Sequence, residues 1–432
     1  MNWRRRALAV RRASDSTLIL IPMPPSKRGG TKRPLSATAG GKVLVVGSIN
    51  VDLYQRLDGG KAKFGGKPLS ITPIKGMTLP AASFTDTKAV KAEIGKAKME
   101  CKKGAEEAFV LTMDGPFTQK TGGKGANAAA AAGQTYSCEF IGNMGAESAS
   151  ENKALLADLK KFGGVDVSRS ATLPKAPTGT AYILLFDDND NAIVLIGGAN
   201  QMWPSASALK SGAAGAKLRA AIDECVCVML QREVPPYVNV VTAELAIKAG
   251  KPVFMDVGGT DAPLDEALMP FISVIAPNES ELGFVSGVPV VVNNGTVDGA
   301  SVRAAVAALK KRFAAKGNKA VEVLVTLGGM GSCHFDGAWS EKAAKAHETR
   351  VGCFKLQTKN GKPNDTCGAG DCFRGSYVGA RYGEGRTVAE AMAWAAAAGS
   401  LAVEVEGAMP SMPPKAKIAK RAKESMMPLA KF

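Results

Sequence analysis

Apolar residues in this chain gather in short unbroken runs. Val43-Leu-Val-Val46 is the first, closed by Gly47, and similar runs return at 180–186 (TAYILLF), 192–196 (AIVLI), 225–230 (CVCVML), 252–256 (PVFMD), 272–276 (ISVIA) and 321–327 (VEVLVTL). A strand covered on one face alternates apolar with polar residues, whereas a run without polar gaps reads as a strand covered on both faces, as in a parallel sheet. Stretches with helical spacing lie between several runs, at 149–162, 236–249 and 299–316, the last carrying Val302, Val306 and Leu309. This alternation predicts an α/β fold of βαβ units in three layers, a central mostly parallel sheet with helices on both faces. Residues 60–121 break the pattern: β-like pieces at 69–74, 77–84 and 109–113 flank a Lys/Glu/Ala-rich segment, 86–108. A polar excursion after the first strand suits a small β lid.

The chain has 432 residues, 46% of them hydrophobic, enough for one large α/β unit or two domains and too apolar for a largely disordered chain. No apolar run approaches the roughly 20 residues of a membrane-spanning helix. The formal charge is +16, but it is concentrated at the ends. Residues 1–42 hold ten Lys/Arg against Asp15, and residues 415–432 hold six against Glu424, which leaves +2 for 43–414. A groove that follows nucleic-acid phosphates needs its cations clustered on the folded body, so nucleic acid is not an expected partner. The Arg-rich, Ser-containing segment 1–42 has the composition of a plastid or mitochondrial transit peptide, or of a disordered basic extension of a cytoplasmic protein. The tail 415–432 is expected as a basic, solvated terminal helix.

Eight cysteines, at positions 101, 138, 225, 227, 333, 353, 367 and 372, form no Cys-x-x-Cys pair and read as reduced, mostly buried thiols. Histidine occurs only at 334 and 347, too sparsely for a multi-histidine zinc site, so a carboxylate or a lysine must carry any chemistry.

Such a carboxylate stands in Asp365-Thr-Cys-Gly-Ala-Gly-Asp371, which helix-compatible sequence follows. Gly368, Ala369 and Gly370 ahead of a helix place open backbone N–H groups at its positive end, an anion site with Asp371 in the first turn as a proton acceptor. The plainer reading is a Gly-rich turn whose aspartate serves the helix dipole. Gly122-Gly-Lys-Gly-Ala-Asn127 also precedes a helical run but lacks the Walker A spacing. Gly47-Ser-Ile-Asn50-Val-Asp52 lies at the C-terminal end of the first strand, where open α/β sheets bind ligands.

Taken in order, GSINVD (47–52), GGKGAN (122–127), LQREVP (230–235), PNESE (277–281), VTLGGMG (325–331) and DTCGAGD (365–371) resemble the ribokinase family of PfkB-type sugar kinases, over about residues 43–412. The resemblance implies the three-layer ribokinase-like fold with its β lid and a kinase domain at 43–414. It also implies ATP-dependent transfer of the γ-phosphoryl group to the 5-hydroxyl of D-ribose. In that scheme Asp371 is the general base and Gly368, Ala369 and Gly370 form the anion hole. Asn50, Asp52, Gly123, Lys124, Asn127 and Glu233 bind the sugar, while Asn278 and Glu281 organise Mg²⁺ and the phosphates. Thr326, Gly328 and Gly331 take the nucleotide, and Asp365, Cys367, Val405, Gly407 and Ser411 surround a K⁺ ion, mostly through carbonyls.

The likeness is not complete. Lys75-Gly-Met77-Thr78 lacks the acid common in the lid, 85–115 is an insertion, and Asp256-Val-Gly-Gly replaces the family's Asn-Pro-Ala-Pro. These departures bear on the sugar more than on the reaction type and leave open another sugar or a nucleoside as substrate; a non-catalytic kinase-like organellar scaffold, whose basic ends meet nucleic acid, is a separate alternative. A homodimer through the lid is a further implication of the resemblance. Cys367 and Cys372 flank the anion hole, either as small packing residues or as oxidation-prone thiols.

Overall fold

The computed structural model describes residues 40–56, 63–64, 67–68, 78–80, 118–146, 149–185, 191–260, 263–293, 296–429 and 432. The N-terminal extension to residue 39, the β-like pieces at 69–74 and 109–113 and the segment 85–115 lie outside them, and of 77–84 only Thr78–Pro80 is described.

Strands β1 (Lys42–Val46), β2 (Asn50–Arg56), β3 (Thr78–Pro80), β4 (Thr118–Gly122), β5 (Cys138–Ile141), β6 (Gly179–Leu185), β7 (Asn191–Ile196), β8 (Cys225–Leu230), β9 (Val253–Asp256), β10 (Val274–Ala276), β11 (Glu322–Thr326), β12 (Ser332–Phe335) and β13 (Glu348–Val351) form two sheets. The larger has the order β13-β12-β11-β10-β9-β8-β1-β5, and only β12 runs against the rest. The helices that matter below are α1 (Lys124–Thr135), α2 (Ala149–Gly163), α3 (Ala213–Glu224), α4 (Pro236–Lys248), α5 (Glu279–Ser286), α6 (Gly299–Ala315), α7 (Ala369–Val378), α8 (Val388–Ala402) and α9 (Lys415–Arg421).

β1 shows why its apolar run is unbroken. Val43 and Val45 meet Ala129, Leu159, Tyr377 and Trp394, from α1, α2, α7 and α8, on one face of the sheet. Leu44 and Val46 meet Leu218, Val238, Val302 and Leu309, from α3, α4 and α6, on the other. Each such side chain contributes about 1.5–3 kcal/mol on burial, so helices must cover both faces.

Two of the expected central strands belong elsewhere. Residues 180–185 and 192–196 fall on β6 and β7, an antiparallel pair in the smaller sheet, whose order is β3-β7-β6-β2-β4, and 186 lies outside the described residues. Ala181 and Ile183 are buried there against Tyr54, Cys367 and Ala408. Apolar continuity reports how well a strand is covered and is silent on the direction of its neighbours.

The terminal helix is a second correction. α9 is docked on the body: Ile418 is fully buried, and Arg421, 3% exposed, pairs with Glu404 at 3.1 Å and donates to Ser400 Oγ at 3.2 Å. Ile418 and Arg421 share one face of the helix at a spacing of three, which the Lys/Ala alternation masks. Among the described residues no helix is long and apolar enough to cross a membrane.

The junction between the sheets positions the site. β1 ends at Val46, and Gly47–Ile49 carry the chain into β2, which pairs with β4 and β6. Asn50 and Asp52 therefore open the smaller sheet directly above the C-terminal edge of the larger one.

Candidate active site

At the start of α7, Gly368 has φ +74° and caps the helix without a side-chain bond. A Cβ there would stand 2.8 Å from Cβ of Ala408, so both the left-handed backbone and the close approach require glycine. The Ala369 N–H donates to the Thr366 carbonyl, whereas no acceptor is described for the amides of Gly368, Gly370 and Asp371. The open amides at this helix terminus thus exclude Ala369, which the sequence places within the anion hole.

Asp371 is 5% exposed. Its Oδ1 lies 3.0 Å from Lys124 Nζ, and its Oδ2 accepts from Asn127 Nδ2 at 2.9 Å. Lys124 also reaches Asp256 Oδ2 at 3.3 Å. Burial alone would lower the lysine's pKa, but the carboxylates of Asp256 and Asp371 hold it above the ordinary value. The Lys124 side chain, expected at the sugar, is thus ion-paired with the expected base.

Asp52 is 3% exposed and faces the same space. Burial, reinforced by Glu233 and Asp371, raises its pKa well above the usual carboxylate range. Its Oδ1 is buried without a partner, as is Oδ1 of Asn127. Gly122 on β4 permits this aspartate: a Cβ at 122 would stand 1.7 Å from Asp52 Oδ2. Asn50 accepts through Oδ1 from Asn200 Nδ2 at 2.7 Å. Glu233 Oε2 accepts from Ser48 Oγ at 2.6 Å and from the Lys124 amide at 3.0 Å, tying the 47–52 and 122–127 motifs together, and burial raises the pKa of Glu233.

Asn50, Asp52, Lys124, Asn127, Glu233 and Asp371 line a cleft of about 500 Å³ that also takes in Gly123, Asn278, Glu281, Cys367, Gly368 and Gly370. A larger groove, about 1340 Å³, adjoins it across Asn50 and Glu233 but contains neither Asp371 nor Lys124. Asn278 caps α5 by accepting from the Glu281 amide at 2.7 Å, and Glu281 Oε2 returns the bond to the Asn278 N–H at 2.8 Å. Thr326, Gly328 and Gly331 do not line the cleft; Thr326 bridges to Asn278, and the two glycines flank the turn after β11.

Asp365 is buried, its Oδ1 accepting from the Cys367 amide at 2.8 Å and its Oδ2 from the Gly407 amide at 2.7 Å. A buried carboxylate held by two backbone amides has the chemistry to face a monovalent cation among carbonyl oxygens. Ser411 is buried and donates through Oγ to the Ala408 carbonyl at 2.7 Å, while the Val405 side chain is 46% exposed and can offer only its backbone. Burial raises the thiol pKa of Cys367 well above the ordinary value and that of Cys372 to about 12, which marks both as packing residues.

Three residues are missed in the sequence. Arg374 and Asp256 join Lys124 and Glu281 in one buried charge cluster, and Asn200 orients Asn50. Arg374 had a local signal, its i+3 spacing from Asp371, which puts both on one helix face. Asn200 and Asp256 had none.

Comparison with known proteins agrees with this geometry. The model of the pfkB family carbohydrate kinases matches residues 94–415. A ribokinase of Arabidopsis thaliana is 34% identical over 308 residues, covering 71% of this chain and 73% of that protein. One from Haemophilus influenzae is 29% identical over 293 residues, covering 68% and 84% respectively. In structure, the Arabidopsis thaliana ribokinase complexed with ribose and ATP superposes with a TM-score of 0.63 at 28% identity, over 89% of this chain and 100% of that one. The family match spans the helix of Asp371 and the loop of Lys124 and ends at the first residue of α9, and the chain belongs to the pfkB family of carbohydrate kinases.

Proposed function

We propose that this protein is an ATP-dependent kinase that phosphorylates D-ribose on its 5-hydroxyl. The observation that carries the reading is the pair of orphaned acceptors, Asp52 Oδ1 and Asn127 Oδ1, in the cleft beside Asp371. A buried acceptor without a partner is costly, and a ligand with several hydroxyl donors supplies what both lack. The ribokinase relatives, and the neighbour whose structure holds ribose and ATP, support that choice of sugar and nucleotide.

Asp371 is placed to accept the hydroxyl proton. As it does so, the sugar oxygen bonds to the γ-phosphorus, the bond from that phosphorus to the β,γ-bridging oxygen breaks, and ADP leaves with the electron pair. The open amides at the start of α7 face the charge that gathers on the phosphoryl oxygens. Lys124 holds the Asp371 carboxylate in place, while Asn50 and Asp52 orient the sugar.

Two cations fit the residues. Asn278 and Glu281, at the start of α5 and lining the cleft, would hold Mg²⁺ through waters and phosphate oxygens. When bound, Mg²⁺ neutralises phosphate charge. K⁺ suits the buried carboxylate of Asp365 and the carbonyls of the 405–411 segment.

The test is phosphoryl transfer from ATP across ribose, deoxyribose, fructose and adenosine, with and without K⁺ and Mg²⁺. Ribose should give the highest kcat/KM, with activity dependent on Mg²⁺ and raised by K⁺. A preference for adenosine or fructose would refute the assignment.

A further inference from the structure

The cleft holds more charge than the transfer step described above uses. Asp256 is fully buried at the end of β9, and Arg374, one turn beyond Asp371 on α7, is almost as buried. The guanidinium is fixed from three sides: Nε donates to the Ala276 carbonyl at 2.9 Å, Nη1 stands 3.4 Å from Asp256 Oδ2, and Nη2 lies 3.0 Å from Glu281 Oε2. Nη1 is also pressed behind the amide-bearing turn, 2.8 Å from where a Cβ on Gly370 would stand. Both Arg374 and Gly370 line the cleft.

The acids around this space are Asp52, Glu233, Asp256, Glu281 and Asp371, against the cations Lys124 and Arg374. A phosphoryl group brings further negative charge. Without a fixed cation behind Gly370, that charge would develop towards Glu281 and the buried Asp256, where like charges are poorly screened.

We propose that Arg374 is a positioning residue for phosphoryl transfer: it pins Glu281 at the start of α5 and keeps a permanent positive charge behind the Gly370 amide. The proposal rests on the kinase reading above and adds a residue to it. Arg374 neither gains nor loses a proton during the reaction. The hydroxyl proton still passes to Asp371 as the oxygen–phosphorus bond forms and the bond to ADP breaks. Arg374 touches neither Asn50 nor Asp52, so its effect belongs to turnover and not to sugar affinity.

The experiment compares wild-type protein with Arg374→Met, Arg374→Lys and the double variant Asp256→Asn/Arg374→Met, by steady-state kinetics with ribose and ATP and by thermal melting. Wild-type activity on ribose tests the underlying reading, and its absence would overturn both. With an active wild type, Arg374→Met should lose kcat by about 100-fold, the scale of removing one preorganised donor, with the ribose KM within threefold. Arg374→Lys should recover part of the loss. The double variant removes the Asp256 charge together with that of the arginine and decides the matter if Arg374→Met alone does not fold. A kcat still about 100-fold down supports a charge that acts on the phosphoryl group. A double variant, or a folded Arg374→Met, with kcat within threefold of wild type shows that the arginine only neutralises Asp256, and overturns the proposal.

Discussion

Asp371 and Asp52 are both buried carboxylates of the cleft, yet their surroundings assign them different work. Asp371 is held by Lys124 and Asn127, whereas Asp52 has an oxygen without a partner and a raised pKa. Asp371→Asn keeps the shape and one acceptor oxygen but removes the basic one, so kcat should fall by about 10³-fold with the ribose KM changed by less than threefold. A turnover near wild type in that variant would refute the role of base. Asp52→Asn should do the reverse to the unliganded protein and stabilise it. The folded state raises the pKa of this carboxyl above its ordinary 3.8, so the unfolded chain releases the proton at lower pH than the folded one does. Stability then declines as pH rises from about 4 through the folded value, since the native state binds more protons over that window. Removing the titrating group should add about 1 kcal/mol near pH 7, with the gain vanishing at pH 4, while ribose binding measured by calorimetry is lost. Equal melting temperatures of the two proteins at pH 7 would contradict this. At this scale the sequence is most informative where a motif is local. Asp371, Asn127 and Asp52 stand in short segments with their own glycines, but the partnership of Arg374 with Asp256 spans 118 positions and leaves no local trace.

Among the elements, the parallel strands of the large sheet are legible because burial on both faces excludes polar residues from them. β6 and β7 carry equally apolar runs for another reason, that the smaller sheet closes over Tyr54, Cys367 and Ala408. Nothing in the runs themselves separates the two cases. α9 is the opposite error: a helix rich in lysine is docked through buried Ile418 and Arg421, with Lys415 donating to the Thr135 carbonyl. Arg421 is buried against Glu404, and removing one member of a buried pair leaves the other charge uncompensated. Arg421→Ala should therefore lower the unfolding free energy by about 3 kcal/mol, read from the urea midpoint, whereas Lys417→Ala on the same helix should change it little. Equal midpoints for the two variants would show that α9 is dispensable to the fold. Its docking also matters to the site, because α8, against which Arg421 lies, packs on α7 and so supports the turn that carries Asp371.

At the scale of the whole molecule, charge and chemistry are separated. Residues 43–414 carry +2 of the formal +16, and every residue of the cleft lies within them. The family match, 94–415, likewise begins well after the basic extension. A basic segment attracts phosphate polymers wherever it is attached, and that attraction depends on salt but not on the shape of a cleft. Removing residues 1–36 takes away nine Lys/Arg and Asp15, a net loss of +8. The shortened chain, starting at Ala37, should keep kcat and the ribose KM within twofold, because every residue that lines the cleft lies within 43–414. Its retention on heparin should collapse, eluting at much lower salt than the full chain. Strong retention that survives the deletion would locate a basic surface on the body, against the near-neutral charge found there. A loss of activity would mean that the extension contributes to the catalytic structure, and the separation of charged end from neutral enzyme would have to be given up.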